Sequence, residues 1–173
     1  SYLRSIRKGS LARKGSALMP RVSNEAGEVG IRVEADTFST RILRNDARAV
    51  ETPWLGYDRV SYGFLFGDKS SALVLGAGGG YDVVAAARLG YRDVVGVEML
   101  PGLVDLVRGP YREYSGGIYN GADPRIAIVV EEGRRYLERT DRKFGEINLV
   151  YGNADFGLQR QPLPLKTFLL TVE

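Results

Sequence analysis

The chain has 173 residues, 44% of them hydrophobic and 26% charged, which suits one packed domain with a small appendage and argues against bulk disorder. Cysteine and histidine are both absent. That excludes disulfides, thiol nucleophiles, imidazole bases and most zinc sites, and leaves acid–base chemistry to Asp, Glu, Tyr or Lys. The formal charge of +3 is unevenly placed, because Arg4, Arg7, Lys8, Arg13, Lys14 and Arg21 all precede Glu25, the first acid.

Residues 1–29 therefore read as a basic arm, rich in Gly and Ser and weakly periodic, expected as loop or a short helix in solvent. Such an arm suits an anionic membrane surface as well. Contact with nucleic acid, as in an RNA-modifying methyltransferase, is the weakest reading, since the arm has no interleaved aromatics and no recognisable module. No apolar run approaches the ~20 residues that span a bilayer. The opening SYLRSIRKGS lacks the apolar core of a signal peptide. The expected location is the cytoplasm, with the inner face of the membrane as the variant. The chain opens at Ser1 without a Met and stops at Glu173 inside an apparent helix, as expected of a segment of something longer.

Residues 30–67 change texture. Ile31, Val33, Ile42 and Leu43 lie in short alternating runs, and Asn45-Asp46 is a turn candidate, so two or three antiparallel strands are expected. Edges of such a small sheet are open to pairing with another chain, which favours a homo-oligomer. Trp54, Tyr57, Tyr62, Phe64 and Phe66 follow as an aromatic cluster, read as core or subunit interface where the β region meets the next domain.

Residues 68–173 begin with the most informative stretch, Ser71 to Glu98. Ala72 to Leu75 is a short strand, followed at once by Gly76, Gly78, Gly79 and Gly80. Tyr81 to Leu89 carries Val83, Val84, Ala87 and Leu89 at helical spacing, with Gly90 as the stop. Asp93 to Val97 is a second strand ending in Glu98. A glycine turn between strand and helix lets a ligand approach the backbone, and an acid about 20 positions after the first glycine commonly meets ribose hydroxyls. A dinucleotide fingerprint wants Gly or Ala where Tyr81 stands, so a dinucleotide fits poorly.

Beyond Glu98, Pro101 opens a helix with Leu103, Val104 and Val107 inward. Tyr111, Tyr114 and Tyr119 sit in a long glycine-rich loop. Arg125 to Val130 is a third strand. Glu132-Gly133 starts a helix with Tyr136 and Leu137 inward, and Phe144 to Val150 is a fourth strand. Strands alternating with helices imply a doubly wound, mostly parallel Rossmann-like sheet, with its ligand outside the carboxyl ends of the strands. Gly76 to Gly80, Glu98, Glu131-Glu132 and Val150 to Asp155 all fall at such ends.

The every-second-residue glycines resemble class I S-adenosylmethionine-dependent transferases. From about Ile31 onward the chain resembles the spermidine synthase family, the aminopropyltransferases. VLGAGGGYDV, GVEMLPGLVDLV, YREYSGGIYNGADPRI, EEGRRYLER and FGEINLV carry the resemblance, over roughly four-fifths of the chain. Its form is similar to the spermidine synthase-like domains attached to membrane-spanning segments in some bacterial proteins, with the last strands of the fold expected outside this segment.

The resemblance implies S-adenosylmethionine or its decarboxylated form as ligand, with no metal. Gly76, Gly78 and Gly80 would border the sulfonium, Glu98 would take both ribose hydroxyls, and Glu132 with Gly133 beside it would meet the adenine amino group. By the residues alone, Glu132 is also an acid at a helix N-terminus favoured by the dipole, and both readings hold together. The family's acid within the glycine turn is matched by Gly79, with Asp82 one turn later as a substitute. Its two catalytic aspartates are matched by Val150 and Asn153, leaving Asp155 as the nearby carboxylate. The expectation is a transferase domain that retains its nucleoside ligand while polyamine synthesis is lost. The alternative is a non-catalytic nucleoside-binding or assembly module of a larger, membrane-associated protein.

Overall fold

A computed structural model describes residues 21–23, 30–35, 38–46 and 62–150. They form a three-stranded antiparallel sheet and a four-stranded parallel sheet flanked by helices. The small sheet holds β1 (Arg21–Ser23), β2 (Gly30–Ala35) and β3 (Phe38–Leu43) in that spatial order. Strand β1 corrects the expectation of loop or short helix before Gly30. Three residues carry no readable period, and it is the pairing of Val22 with Val33 that makes them a strand. Trp54 and Tyr57 lie outside the described residues.

The parallel sheet contains β4 (Ala72–Leu75), β5 (Val94–Glu98), β6 (Ile126–Val130) and β7 (Glu146–Leu149), ordered β6-β5-β4-β7. Every residue of β4 and β5 is buried. Central parallel strands are covered on both faces, which is why their sequences, ALVL and VVGVE, are nearly unbroken apolar runs. Alternation assigns their side chains to two cores. Ala72, Val74 and Val94 join a cluster with helices α1 (Tyr81–Arg88) and α2 (Pro101–Arg108). Leu73, Leu75, Val95 and Val97 join another with Tyr136 of α3 (Gly133–Arg139). The sheet is therefore doubly wound, α1 and α2 on one face and α3 on the other. In register, Leu75 pairs with Val97 and with Leu149, and Glu98 pairs with Val130. The carboxyl ends of all four strands thus meet along one rim. The connection reverses direction between β4 and β7, which is where such sheets open a crevice.

Helix α1 is buried along Asp82 to Ala87 because it is packed from both sides, by the parallel sheet and by β3 with the loop after α2. It ends as expected at Gly90, whose N–H reaches Ala87 O while that of Tyr91 reaches Ala86 O, the paired bonds of a Schellman motif. Helix α2 buries Leu103, Val104 and Val107, and Leu106 with them. One inward expectation needs correction. Leu137 is 36% exposed, since it lies about 100° round a seven-residue helix from the buried Tyr136. Phe66 is 74% exposed in a turn, while Phe64 alone of that pair is buried, edge-on to Tyr91 at 5.5 Å.

Candidate functional site

The turn after β4 folds back on β5. The N–H groups of Gly76 and Ala77 both reach Val97 O, at 2.8 and 3.0 Å. This brings Gly78 N–H to 2.8 Å from Glu98 Oε2, and the other carboxylate oxygen, Oε1, accepts from Leu100 N–H at 2.9 Å. Glu98 is only 5% exposed, yet it closes the carboxyl end of a central strand. Two backbone donors therefore fix its rotamer, one on each oxygen. Each oxygen keeps a further lone pair for an external hydroxyl.

Gly76, with φ +84°, is exposed on the rim, and a Cβ there would sit 2.8 Å from Val150 O. Gly78, Gly79 and Gly80 are buried. Their cover is β3, whose Ile42 forms an antiparallel bridge with Gly80. The approach is closest at Gly79, where a Cβ would lie 2.0 Å from Arg41 O and 2.6 Å from Ile42 N. Any side chain at Gly79 would meet backbone. Asp82 is also buried, on the first turn of α1.

The long loop completes the cover. It is internally bonded, with Ser115 N–H to Tyr111 O, Gly117 N–H to Arg112 O and a short 3₁₀ turn at Ile118–Asn120. It is tied to the end of β3 by Asn45 N–H to Tyr114 O at 2.9 Å, and Arg44 lies over the Tyr114 ring at 5.2 Å. Tyr119, 4% exposed, donates its hydroxyl to Gly78 O at 2.8 Å. Burial pushes its phenol far above the ordinary range, with the Glu98 carboxylate adding to the shift. It remains a donor across the neutral range. Thr40 of β3 accepts from Gly79 N–H at 3.0 Å. Sequence reasoning missed Thr40, since a threonine in a short strand carries no local signal of a partner 39 positions away.

One strand further out, Glu132 is exposed and caps α3, its Oε1 accepting from Arg134 N–H and its Oε2 from Arg135 N–H, both at 3.0 Å. Gly133 is the first helical residue. The structure thus gathers Gly76, Gly78, Gly79, Gly80, Asp82 and Glu98 around one turn and leaves Glu132 and Gly133 at the neighbouring rim. Asn153 and Asp155 lie outside the described residues. Val150 lies at the end of β7, half-buried against the core, with its N–H on Leu75 O.

A separate cleft of about 210 Å³ opens at the amino end of the sheet, between Asn45, Arg88, Asp123 and Arg125. Its polar groups are matched to one another, Arg88 to Asn45 at 2.6 Å and Arg125 to Asp123 at 2.7 Å, and it touches neither the glycine turn nor Glu98. The rim at the carboxyl ends is the better candidate on chemistry. Among the described residues, no helix is long and apolar enough to cross a membrane.

No family model and no curated protein matches the chain. Solved structures do. A spermidine synthase from Thermotoga maritima superposes with a TM-score of 0.56 at 15% identity, covering 81% of this chain and 48% of that one. A spermidine synthase in complex with the transition state analogue AdoDATO gives 0.57 at 14% identity, covering 83% and 47%. The chain therefore has the spermidine synthase-like, class I methyltransferase fold, and spans about half the length of these solved structures.

Proposed function

We propose that the chain is the nucleoside-binding part of a transferase of spermidine synthase-like ancestry, taking S-adenosylmethionine or its decarboxylated form. The observation that carries this reading is Glu98. A buried carboxylate, held by one backbone N–H on each oxygen beside a glycine turn, is arranged to receive the two hydroxyls of a ribose. Met99 and Val130, both exposed at the same rim, offer apolar surface for a base. The resemblance in fold to a spermidine synthase that holds AdoDATO supports the same class of ligand.

The acceptor is a different matter. Aminopropyl transfer requires an amine to lose a proton, with a pKa near ~10.4 for a lysine-like amine. Loss of a general base costs about 10²–10⁴-fold in rate. Val150, where the resemblance implies the first catalytic aspartate, neither takes a proton nor holds an amine by charge. Methyl transfer to a good nucleophile depends more on positioning and tolerates such a site. Our reading is therefore a transferase whose acceptor is not putrescine. Val150 also favours a second reading, a nucleoside-binding module without turnover, in a larger assembly.

Calorimetry tests the first step. S-adenosylmethionine, its decarboxylated form or methylthioadenosine is expected to bind in the micromolar range, about 8 kcal/mol. Glu98→Ala is expected to weaken binding at least tenfold, as charged hydrogen bonds are lost. Folded protein giving no heat with all three ligands refutes the reading. Mass spectrometry with putrescine and decarboxylated S-adenosylmethionine is expected to show little spermidine. Turnover near ~1 s⁻¹ removes the claim of an altered acceptor.

A further inference from the structure

The peptide joining Gly78 to Gly79 is gripped from two directions by distant side chains. Its carbonyl oxygen accepts from the Tyr119 hydroxyl at 2.8 Å, and its N–H donates to Thr40 Oγ1 at 3.0 Å. The next N–H back along the chain, that of Gly78, is the one on Glu98 Oε2. A peptide between two glycines has no Cβ to restrict it on either side, so its orientation is set by what it bonds to. The Gly78 N–H lies on the preceding peptide, so rotation of this plane does not by itself turn it; loss of the two grips instead frees Gly78, the residue between the two peptides, to shift against the carboxylate.

We propose that Tyr119 and Thr40 are positioning residues of the nucleoside site, locking the Gly78–Gly79 peptide and through it the Glu98 carboxylate in its ligand-receiving geometry. This rests on the reading of Glu98 as the ribose acid. Three elements converge to make the lock. β3 brings Thr40, the loop after α2 brings Tyr119, and β5 presents Glu98. The contacts are sheltered: Tyr119 is 4% exposed and Gly78 and Gly79 are buried, so water does not readily replace either bond. Tyr119 is also wedged beside the turn, where a Cβ on Gly80 would come within 3.3 Å of its ring. The hydroxyl is thus held at the carbonyl by packing as well as by its hydrogen bond.

Tyr119→Phe keeps the ring and removes only the donor; Thr40→Val keeps the branched shape and removes the acceptor. The first measurement needs no ligand. Amide hydrogen exchange by NMR is expected to rise about tenfold or more at Gly78 and Gly79 in Tyr119→Phe, with the amides of β5 unchanged. The second uses two probes, methylthioadenosine and its 2′,3′-dideoxy analogue. Tyr119→Phe is expected to weaken methylthioadenosine five- to tenfold and the dideoxy analogue by less than about twofold, because only the first engages Glu98. Thr40→Val is expected to follow the same pattern more weakly. Equal weakening of both probes means a general structural role and overturns the proposal, as does unchanged exchange at Gly78. Wild-type protein that binds neither probe sinks the ribose reading instead. The lock on the peptide then stands or falls on the exchange result alone.

Discussion

Two acids at adjacent strand ends have the same kinds of bonds and opposite surroundings. Glu98 at the end of β5 and Glu132 just past β6 each accept from two backbone N–H groups. Glu98 does so while 5% exposed, tying together two separate segments, the glycine turn and the start of α2. Glu132 does so in solvent, within its own helix turn. The inner half of the rim, at β4 and β5, is covered by β3 and the loop; the outer half, at β6, is open, with Val130 41% exposed. On the proposed reading, a carboxylate becomes a ligand-binding group here through its cover and the fixed geometry that cover imposes. Being an acid at a strand end is not sufficient.

The most severe way to break this contrast is to open the cover. Gly79→Asp places a side chain against the Arg41 carbonyl, backbone that has no rotamer with which to yield. Overpacking costs about 1–3 kcal/mol and sometimes more. The upper end, about 3 kcal/mol, is expected here, read from urea unfolding. The same substitution restores an acid at the position where the resemblance implies one. If the variant is as stable as wild type, β3 does not seal the turn as described, and the distinction between the two halves of the rim fails.

That seal also marks where reading the sequence stops. Strands β4 to β7, helices α1 to α3, the glycine turn and Glu98 were all legible, because each is encoded by neighbours at periods of 2 or 3.6 or by a turn of fixed spacing. The loop was legible as unusual, with Tyr119 in it. Its partner was not legible. Tyr119 and Gly78 are 41 positions apart, Thr40 and Gly79 are 39, and nothing local links them. Strand β1 was missed for the same reason, since it exists through its pairing with β2. Leu137 shows the converse error. It is an apolar residue next to a buried helix position, and a seven-residue helix on the parallel sheet buries too narrow a face to cover it as well.

The outer acid gives a finer test of the comparison. Glu132→Ala removes a helix cap and is expected to cost about 0.5–1 kcal/mol of stability, the ordinary worth of a cap. Because it stands exposed on the open half of the rim, nucleoside affinity is expected to change by less than about twofold, roughly 0.4 kcal/mol. Calorimetry and urea unfolding on the same preparation separate the two effects. A tenfold loss of affinity with little loss of stability would assign Glu132 to the ligand and erase its difference from Glu98.

The smallest effect is expected at the other end of β6, where Asp123 sharpens the point about cover. It accepts from Arg125 N–H at 3.0 Å and from the Arg125 guanidinium at 2.7 Å, so its bonds are at least as many as those of Glu98. Both partners are partly exposed. The guanidinium hydrogen bond holds the Asp123 carboxyl below the ordinary range, helped by the backbone N–H and opposed by partial burial. A depressed folded-state pKa means stability that is present above the unfolded value of about 3.9 and lost as pH falls through the lower folded value. Solvent screening reduces it, so Asp123→Asn is expected to lower stability by no more than about 0.5 kcal/mol near pH 7. The difference from wild type should fade in acid, once pH has fallen through the lowered folded value and the wild-type carboxylate is protonated as well. Paired urea titrations near neutrality and in acid, at low salt, measure it. A deficit well above 1 kcal/mol near neutrality would show that hydrogen-bond number outweighs burial, against the contrast drawn from Glu98.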